Sequence, residues 1–376
     1  MDGSWTDDVP LLDHHCHGVV RRDLEPHELE AHATESDWGP APGTRALDSP
    51  FGVAMLRTCS PVLGLDPHAS AEDYLTRRAE LGWHEVTRRL LDASGTAEYH
   101  VETGFPTPGI ASPEEMAQLS GRPVRRVVRL ETIAESVAPR TSPAEFLADF
   151  EAELDRQLIG AVAVKTIAAY RFGLDLAPAP PADADVERAA DGWLRAARGD
   201  GRHRLVDRTL ISRLVWCAVE RASVVQVHVG FGDADVQLDL ADPARMTPLL
   251  RATRTSGARF ALLHCYPFVR QAGILAHLFP HVWFDVSCLS HYAGPSAPTL
   301  IREAVETAPF GKLLYASDAY ALPEHYLVSA AQWRRGLGTL LREWVDDDWL
   351  VSEQADRYAA MIGSGNARNL YRLEPE

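Results

Sequence analysis

Lysine is almost missing from this 376-residue sequence. Of 37 basic residues two are lysine, Lys165 and Lys312, and the other 35 are arginine. Basic charge is short as a whole, since 53 Asp and Glu leave a formal net charge of −16. That balance argues against nucleic acid or an anionic membrane surface as the main partner. No apolar run approaches the roughly 18 residues of a membrane-spanning helix, so no membrane partner is expected. Cysteine is sparse and odd in number. Cys16, Cys59, Cys217, Cys265 and Cys288 include no Cys-x-x-Cys pair, which fits a reducing cytoplasm better than a disulfide framework. The N-terminus lacks both a basic n-region and an apolar h-region, so no secretory signal is expected. The hydrophobic share of 46% and charged share of 24% exclude a disordered or fibrous chain.

What the sequence has is an alternation. Short apolar runs occur at 9–17, 97–105, 125–133, 161–170, 223–231, 259–268, 282–289 and 312–320. Amphipathic stretches lie between them, roughly over 204–222, 243–256, 269–279, 297–308 and 324–345. Another helix is expected to start with Ser142 as N-cap and Pro143 at its first position. Continuous apolar strands alternating with helices predict a parallel sheet covered on both faces. Eight such units predict a (β/α)8 TIM barrel. A basic barrel needs about 250 residues, so insertions are expected between strands 1 and 2 (37–60) and between strands 4 and 5 (175–203). Each reads equally well as a solvated loop or as a lid over the barrel mouth. No linker divides the chain, so one domain over residues 1–376 is expected.

Function in this fold sits where strands end. Strand one ends Asp13-His14-His15-Cys16-His17, strand four carries Lys165, and strands five, six and eight end at His228, His264 and Asp318. Residues i and i+2 of a strand share a face, so His15 and His17 can turn to one cation. Neutral imidazoles with a carboxylate suit zinc and similar divalent ions. Any one of these residues alone reads more readily as core, surface or cap; together, at successive strand ends, they predict a metal site. Lys165 is a poor ligand as an ammonium. As a carbamate it would bridge two metals, a chemistry arginine cannot supply. By the same alternation Cys16 and Cys265 face away and pack.

The pattern resembles the amidohydrolase superfamily: His-x-His on strand one, Lys on strand four, His on strands five and six, Asp on strand eight. Within it the sequence is most similar to the amidohydrolase-related (amidohydrolase 2) branch and its FluG-type domain. The matching stretches are VKTIAAYRFGL (164–174), VHVGFGDADVQLDLADP (227–243), LLHCYPFVRQAGILA (262–276), LLYASDAYALPEHY (313–326) and GNARNLYRL (365–373). The resemblance runs over about residues 9–373. It implies a distorted barrel holding one or two divalent metals, zinc first, with manganese or iron as alternatives. It carries His15, His17, His228, His264 and Asp318 over as metal-site residues and Lys165 as the strand-four lysine, with carbamylation left open. No glutamine-synthetase-like domain, to which such domains are fused in some proteins, is expected within these 376 residues.

The expected activity is metal-assisted hydrolysis of an amide C–N bond in a small molecule, with Asp318 as general base and His264 and Lys165 also in the catalytic set. The resemblance suggests a glutamyl-type amide. Tyr170, Arg171, Arg129 and Tyr266 are the expected substrate-binding residues, Arg171 as a bidentate carboxylate clamp; for each arginine an ordinary salt bridge is the competing reading. Glu131, beside Arg129, could share an amino-acid head group. A non-oxidative decarboxylase on the same metal site and a non-catalytic regulatory barrel remain open, and a homo-oligomer is compatible with the sequence.

Overall fold

The computed structural model describes residues 5–105, 108–200 and 203–373. Residues 201–202, in the second expected insertion, lie outside the described residues. β-Branched and aliphatic runs with little polar interruption make strands buried on both faces, as in VVQVHV of residues 224–229. Seven strands form one parallel sheet in chain order: β1 (Leu11–Cys16), β2 (Thr96–Glu102), β3 (Val124–Arg129), β4 (Ala161–Thr166), β5 (Val224–Val229), β6 (Arg259–His264) and β7 (Val282–Phe284).

The eighth expected strand, 312–320, is an extended segment rather than a regular strand. Leu314 N donates to Phe284 O at 2.9 Å, and His14 N donates to Tyr315 O at 3.3 Å. Farther along, Asp318 N donates to His15 O at 3.0 Å and His17 N to Ala319 O at 2.8 Å. The segment therefore lies between β7 and β1 and closes a distorted (β/α)8 barrel. It pairs through isolated bridges, Phe284 with Leu313 and Val19 with Ala321, and the left-handed backbone angles of Asp318 (φ 53°) and Ala321 (φ 63°) depart from those of a regular strand.

The helices follow in the order α1 (Pro26–His32), α2 (Pro50–Val62), α3 (Ala71–Leu81), α4 (Trp83–Ala93), α5 (Pro113–Ser120), α6 (Leu130–Val137), α7 (Phe146–Leu158) and α8 (Asp183–Asp200). They continue as α9 (Arg208–Glu220), α10 (Thr247–Ala252), α11 (Val269–Leu278), α12 (Leu289–Tyr292), α13 (Ala297–Ala304), α14 (Pro323–Asp346), α15 (Ser352–Ala360) and α16 (Asn366–Tyr371). Most pack outside the sheet over a core that includes Phe150, Val164, Leu214, Val227, Leu249 and Leu262. Each such side chain contributes about 1.5–3 kcal/mol by leaving water. A second cluster joins Leu12, Val127, Ala163, Val224 and Leu263 to Leu370 and Tyr371 of α16, so the closing GNARNLYRL stretch seals the core between the strands.

Three boundaries differ from expectation. Strand three ends at Arg129 and α6 begins at Leu130, so Glu131 belongs to a helix. The helix expected from Pro143 begins at Phe146 instead, and Ser142 Oγ bonds the Glu145 carboxylate at 2.6 Å rather than capping. The long β1–β2 connection is mostly helical. Leu29, Phe51, Met55, Tyr74 and Leu90 from α1–α4 form their own core with Leu322, Leu327 and Val328 at the start of α14. In the second insertion, α8 packs Val186 and Ala190 into the main core. No helix among the described residues is long and apolar enough to cross a membrane.

Candidate metal centre

The ends of β1, β4, β5, β6 and the closing segment converge on one buried point. His15 Nε2 lies 3.2 Å from Asp318 Oδ1, and His264 Nδ1 lies 3.2 Å from Asp318 Oδ2. One ligand atom from each of these three residues falls within 4.8 Å of the other two. His17 Nε2 is 3.6 Å from Asp318 Oδ1, and its Nδ1 is 3.5 Å from Glu102 Oε2. Lys165 Nζ sits 2.9 Å from His15 Nε2. The His228 ring lies 4.6 Å from the His264 ring and 4.3 Å from Tyr170.

The backbone around these residues is irregular where the chemistry needs it. Between Asp13 and Cys16, three steps of β1 oppose two of β2, a bulge that re-aims the side chains of the His-rich end. His264, Cys265 and Asp318 have φ of 69°, 60° and 53°. Each costs about 1–3 kcal/mol and persists only where its surroundings enforce it. Asp285 Oδ1 does so at β6, accepting from His264 N and Ser287 N at 2.8 Å each. At Gly230 (φ 74°) an added Cβ would meet Tyr266 O at 2.1 Å, so the turn after His228 requires glycine.

Burial holds the His15, His228 and His264 rings neutral. Burial first, then the neighbouring Lys165 charge, pushes His15 down to about 3 against the pull of Asp318. Burial likewise pushes His264 down to about 4, again against Asp318. The Asp318 carboxyl stays well below its ordinary value: burial raises it, but His264, His15 and His17 prevail. His15 Nδ1 meets Gln226 Oε1 at 2.8 Å, and Gln226 Nε2 donates to His14 O and to Tyr371 Oη at 2.8 Å each. The amide oxygen therefore accepts from Nδ1–H and leaves Nε2 with its lone pair.

The donor set fits a divalent cation. Four imidazoles and a carboxylate are the N/O ligands such ions take. The buried nitrogens His228 Nε2 and His264 Nε2 have no hydrogen-bond partner among the described residues, a costly state unless something else satisfies them. Lys165 is buried beside these atoms.

A cavity of about 370 Å³ opens over this point. Of the expected substrate residues, Tyr170, Arg171 and Arg129 line it. Arg129 Nη2 is 2.5 Å from Glu102 Oε2, and Arg171 Nη2 is 3.4 Å from Glu135 Oε1. In both, Nε is buried and unpartnered among the described residues. Tyr266 does not belong to this set. Its side chain is 42% exposed and does not line the cavity, while its carbonyl accepts from Phe231 N at 2.7 Å. The chain turns back after His264, so Tyr266 braces the β5 and β6 loops instead. Glu131 is also turned away: its Oε1 accepts from Thr166 Oγ1 at 2.6 Å and Ile167 N at 3.0 Å.

Sequence reasoning missed Glu102, Gln226, Asp285 and the cavity residues Glu35 and His325. Glu102 ends β2 as His17 follows β1, a strand-end position that could have flagged it. Gln226 precedes His228 by two and shares its face of β5. Among the described residues of the two insertions, only the start of the first reaches the cavity, at Asp37 beside the preceding Glu35. The described side chains of α8 do not line it. Cys16 and Cys265 are buried, their Sγ atoms near His100 O (3.5 Å) and Leu262 O (3.4 Å).

Comparison with known proteins gives a consistent picture. The family described as Amidohydrolase matches residues 106–373. The chain is similar to Protein fluG of Emericella nidulans, with 24% identity over 405 residues. That alignment covers 98% of this chain and 46% of the relative, so the chain spans about half the relative's length. A structure from Lactobacillus casei ATCC 334, assigned as a metal-dependent hydrolase, superposes with a TM-score of 0.87 and 29% identity, covering 98% of this chain and 97% of that one. A uronate isomerase from Bacillus halodurans C-125 shares the fold, with a TM-score of 0.65 at 15% identity, over 99% of this chain and 95% of that one.

Proposed function

Because this chain belongs to the amidohydrolase family, we propose that it is a metal-dependent hydrolase cleaving an amide C–N bond of a small molecule, of the glutamyl type. The observation that carries the reading is the meeting of His15, His264 and Asp318 at one buried point on the cavity floor, beside two unpartnered imidazole nitrogens. His15, His17, His228, His264 and Asp318, with Lys165 as a bridging carbamate where two ions bind, would hold the cofactor, zinc first and manganese or iron as alternatives. A divalent ion in such a site supplies an acidified water and polarisation of a carbonyl.

The chain's own groups do the rest. Asp318, ionised and facing both His15 and His264, accepts the proton of the attacking water. The water oxygen bonds to the amide carbon, and the C–N bond breaks as Asp318 returns the proton to the leaving nitrogen. Arg171, with Arg129 beside it, receives a substrate carboxylate on its unpartnered Nε–H. Tyr170, against His228, walls the cavity and excludes water. In this reading the partner is a small molecule rather than nucleic acid or membrane, and five free buried cysteines suit a reducing cytoplasm.

The test is a substrate screen on protein whose metal content has been measured. Release of amine from an amide, dependent on the bound ion, is the expected result. Release of CO2 from a carboxylic acid instead would assign a decarboxylase. Absence of bound metal, with no activity restored by zinc or manganese, would reject both.

A further inference from the structure

The cavity also carries acidic side chains. Glu35, Asp37 and Asp233 line it, and none of the three has a cation within ion-pairing distance among the described residues. Asp235 beside them differs, since Arg204 Nη2 pairs with it at 2.7 Å. Among the described residues Glu35 meets the Cys288 thiol, at 3.6 Å, and the Tyr292 hydroxyl. Burial, then the charge of Asp318, pushes its carboxyl up to about 7. A carboxylate buried without a cation partner is costly, and a cation would relieve it.

An independent observation points the same way. His325 is 2% exposed and lines the same cavity. Its Nδ1 lies 3.1 Å from Tyr320 O, an acceptor, so Nδ1 carries the proton and Nε2 the lone pair. That Nε2 is buried with no partner among the described residues. Burial pushes the ring down to about 4, which keeps it neutral and accepting. Tyr292 and Tyr320, in contact with His325 and with His17 respectively, also line the cavity. Carboxylates, a ring lone pair and aromatic faces all accept N–H and attract positive charge.

We infer that the cavity wall around Tyr292 is a subsite for a primary ammonium group of the substrate, held by Glu35 and His325 Nε2 and walled by Tyr292 and Tyr320. The inference deepens the hydrolase reading, on which it rests for the amide. With Arg171 and Arg129 lining the same cavity, the substrate class becomes an amide that carries an α-amino group.

Calorimetric binding to the metal-loaded full chain tests this apart from turnover. The probes are pairs differing only in the amino group: L-glutamine and glutaramate, L-asparagine and succinamate, L-phenylalaninamide and 3-phenylpropanamide. The amino member of at least one pair is expected to bind tenfold or more tightly. Glu35→Gln, nearly isosteric, should erase that preference and leave the des-amino affinity unchanged, and His325→Gln should reduce it. Equal affinities within every pair, no binding by any amino member, or a preference that survives Glu35→Gln overturns the inference. If the preference is present but no amide is cleaved, the hydrolase reading fails and the subsite stands.

Discussion

Lys165 Nζ lies 2.9 Å from His15 Nε2, in a buried cluster that also contains Asp318. The other lysine, Lys312, stacks its Nζ 3.6 Å over the Trp283 ring and donates to Pro280 O. The two therefore make opposite predictions. Lys165→Arg puts a permanent, larger cation against His15 and removes the amine that CO2 can modify. Bound metal per chain should fall, and activity with it. Lys312→Arg keeps the charge and the stacking face, so metal content should be unchanged and stability should move by no more than about 0.5 kcal/mol. Metal analysis and thermal melts of both variants check this. If Lys165→Arg retains full metal and turnover, the lysine is not part of the centre.

Asp318→Asn should separate chemistry from fold. Asparagine preserves shape but not the negative charge or the ability to take a proton. A general base contributes about 10²–10⁴-fold, so kcat should drop by that order. The backbone bond from residue 318 N to His15 O does not depend on the side chain, so cooperative melting should survive. Undiminished turnover would remove Asp318 from the base role.

The candidate ligands at strand ends were legible because alternation and strand termination are local properties. His15, His17, Lys165, His228, His264 and Asp318 each follow an apolar run, and the barrel brings such ends together. The supporting bonds were not legible, since they join residues far apart in the chain: Gln226 to His15, Asp285 to His14 and to His264 N, Ser317 to Asp13. Tyr266 and Glu131 were misplaced for a related reason. An apolar run does not mark the residue at which a strand turns left-handed, as at His264, or becomes a helix, as at Leu130. Glu35 gave no sign, because a solitary acid ahead of a Pro- and Gly-rich loop resembles any surface carboxylate.

Gln226→Leu tests the support of His15. The leucine removes the acceptor for Nδ1–H and the donor to Tyr371 Oη and His14 O. The ring is then free to turn or to change tautomer. Outer partners of this kind are worth roughly 10–100-fold in metal affinity, so a chelator competition should show a loss of that size. Gln226→Glu keeps an acceptor at Oε1 and should lose less. Equal losses in the two variants would mean that the Nδ1 bond is not what orients His15.

The buried Arg78–Glu324 pair predicts how stability responds to acid. Arg78 Nε donates to Glu324 Oε1 at 2.8 Å and Tyr74 Oη donates to the same oxygen at 3.0 Å, tying α3 to the first turn of α14. Burial raises the Glu324 carboxyl, but the Arg78 charge and hydrogen bond prevail and hold it below its ordinary 4.5. A depressed carboxyl contributes stability that is present above the unfolded value and lost as pH falls through the folded one. Wild-type stability should therefore include a term that declines below about pH 4.5. Arg78→Met leaves the acid buried without its partner, which costs about 3–5 kcal/mol at neutral pH. Only burial then acts strongly on Glu324, its folded value rises, and the sign reverses: the variant gains relative stability as pH falls. Urea midpoints of the two proteins from pH 7 to pH 4 should converge. Parallel curves would show that Glu324 ionisation is not coupled to folding through Arg78.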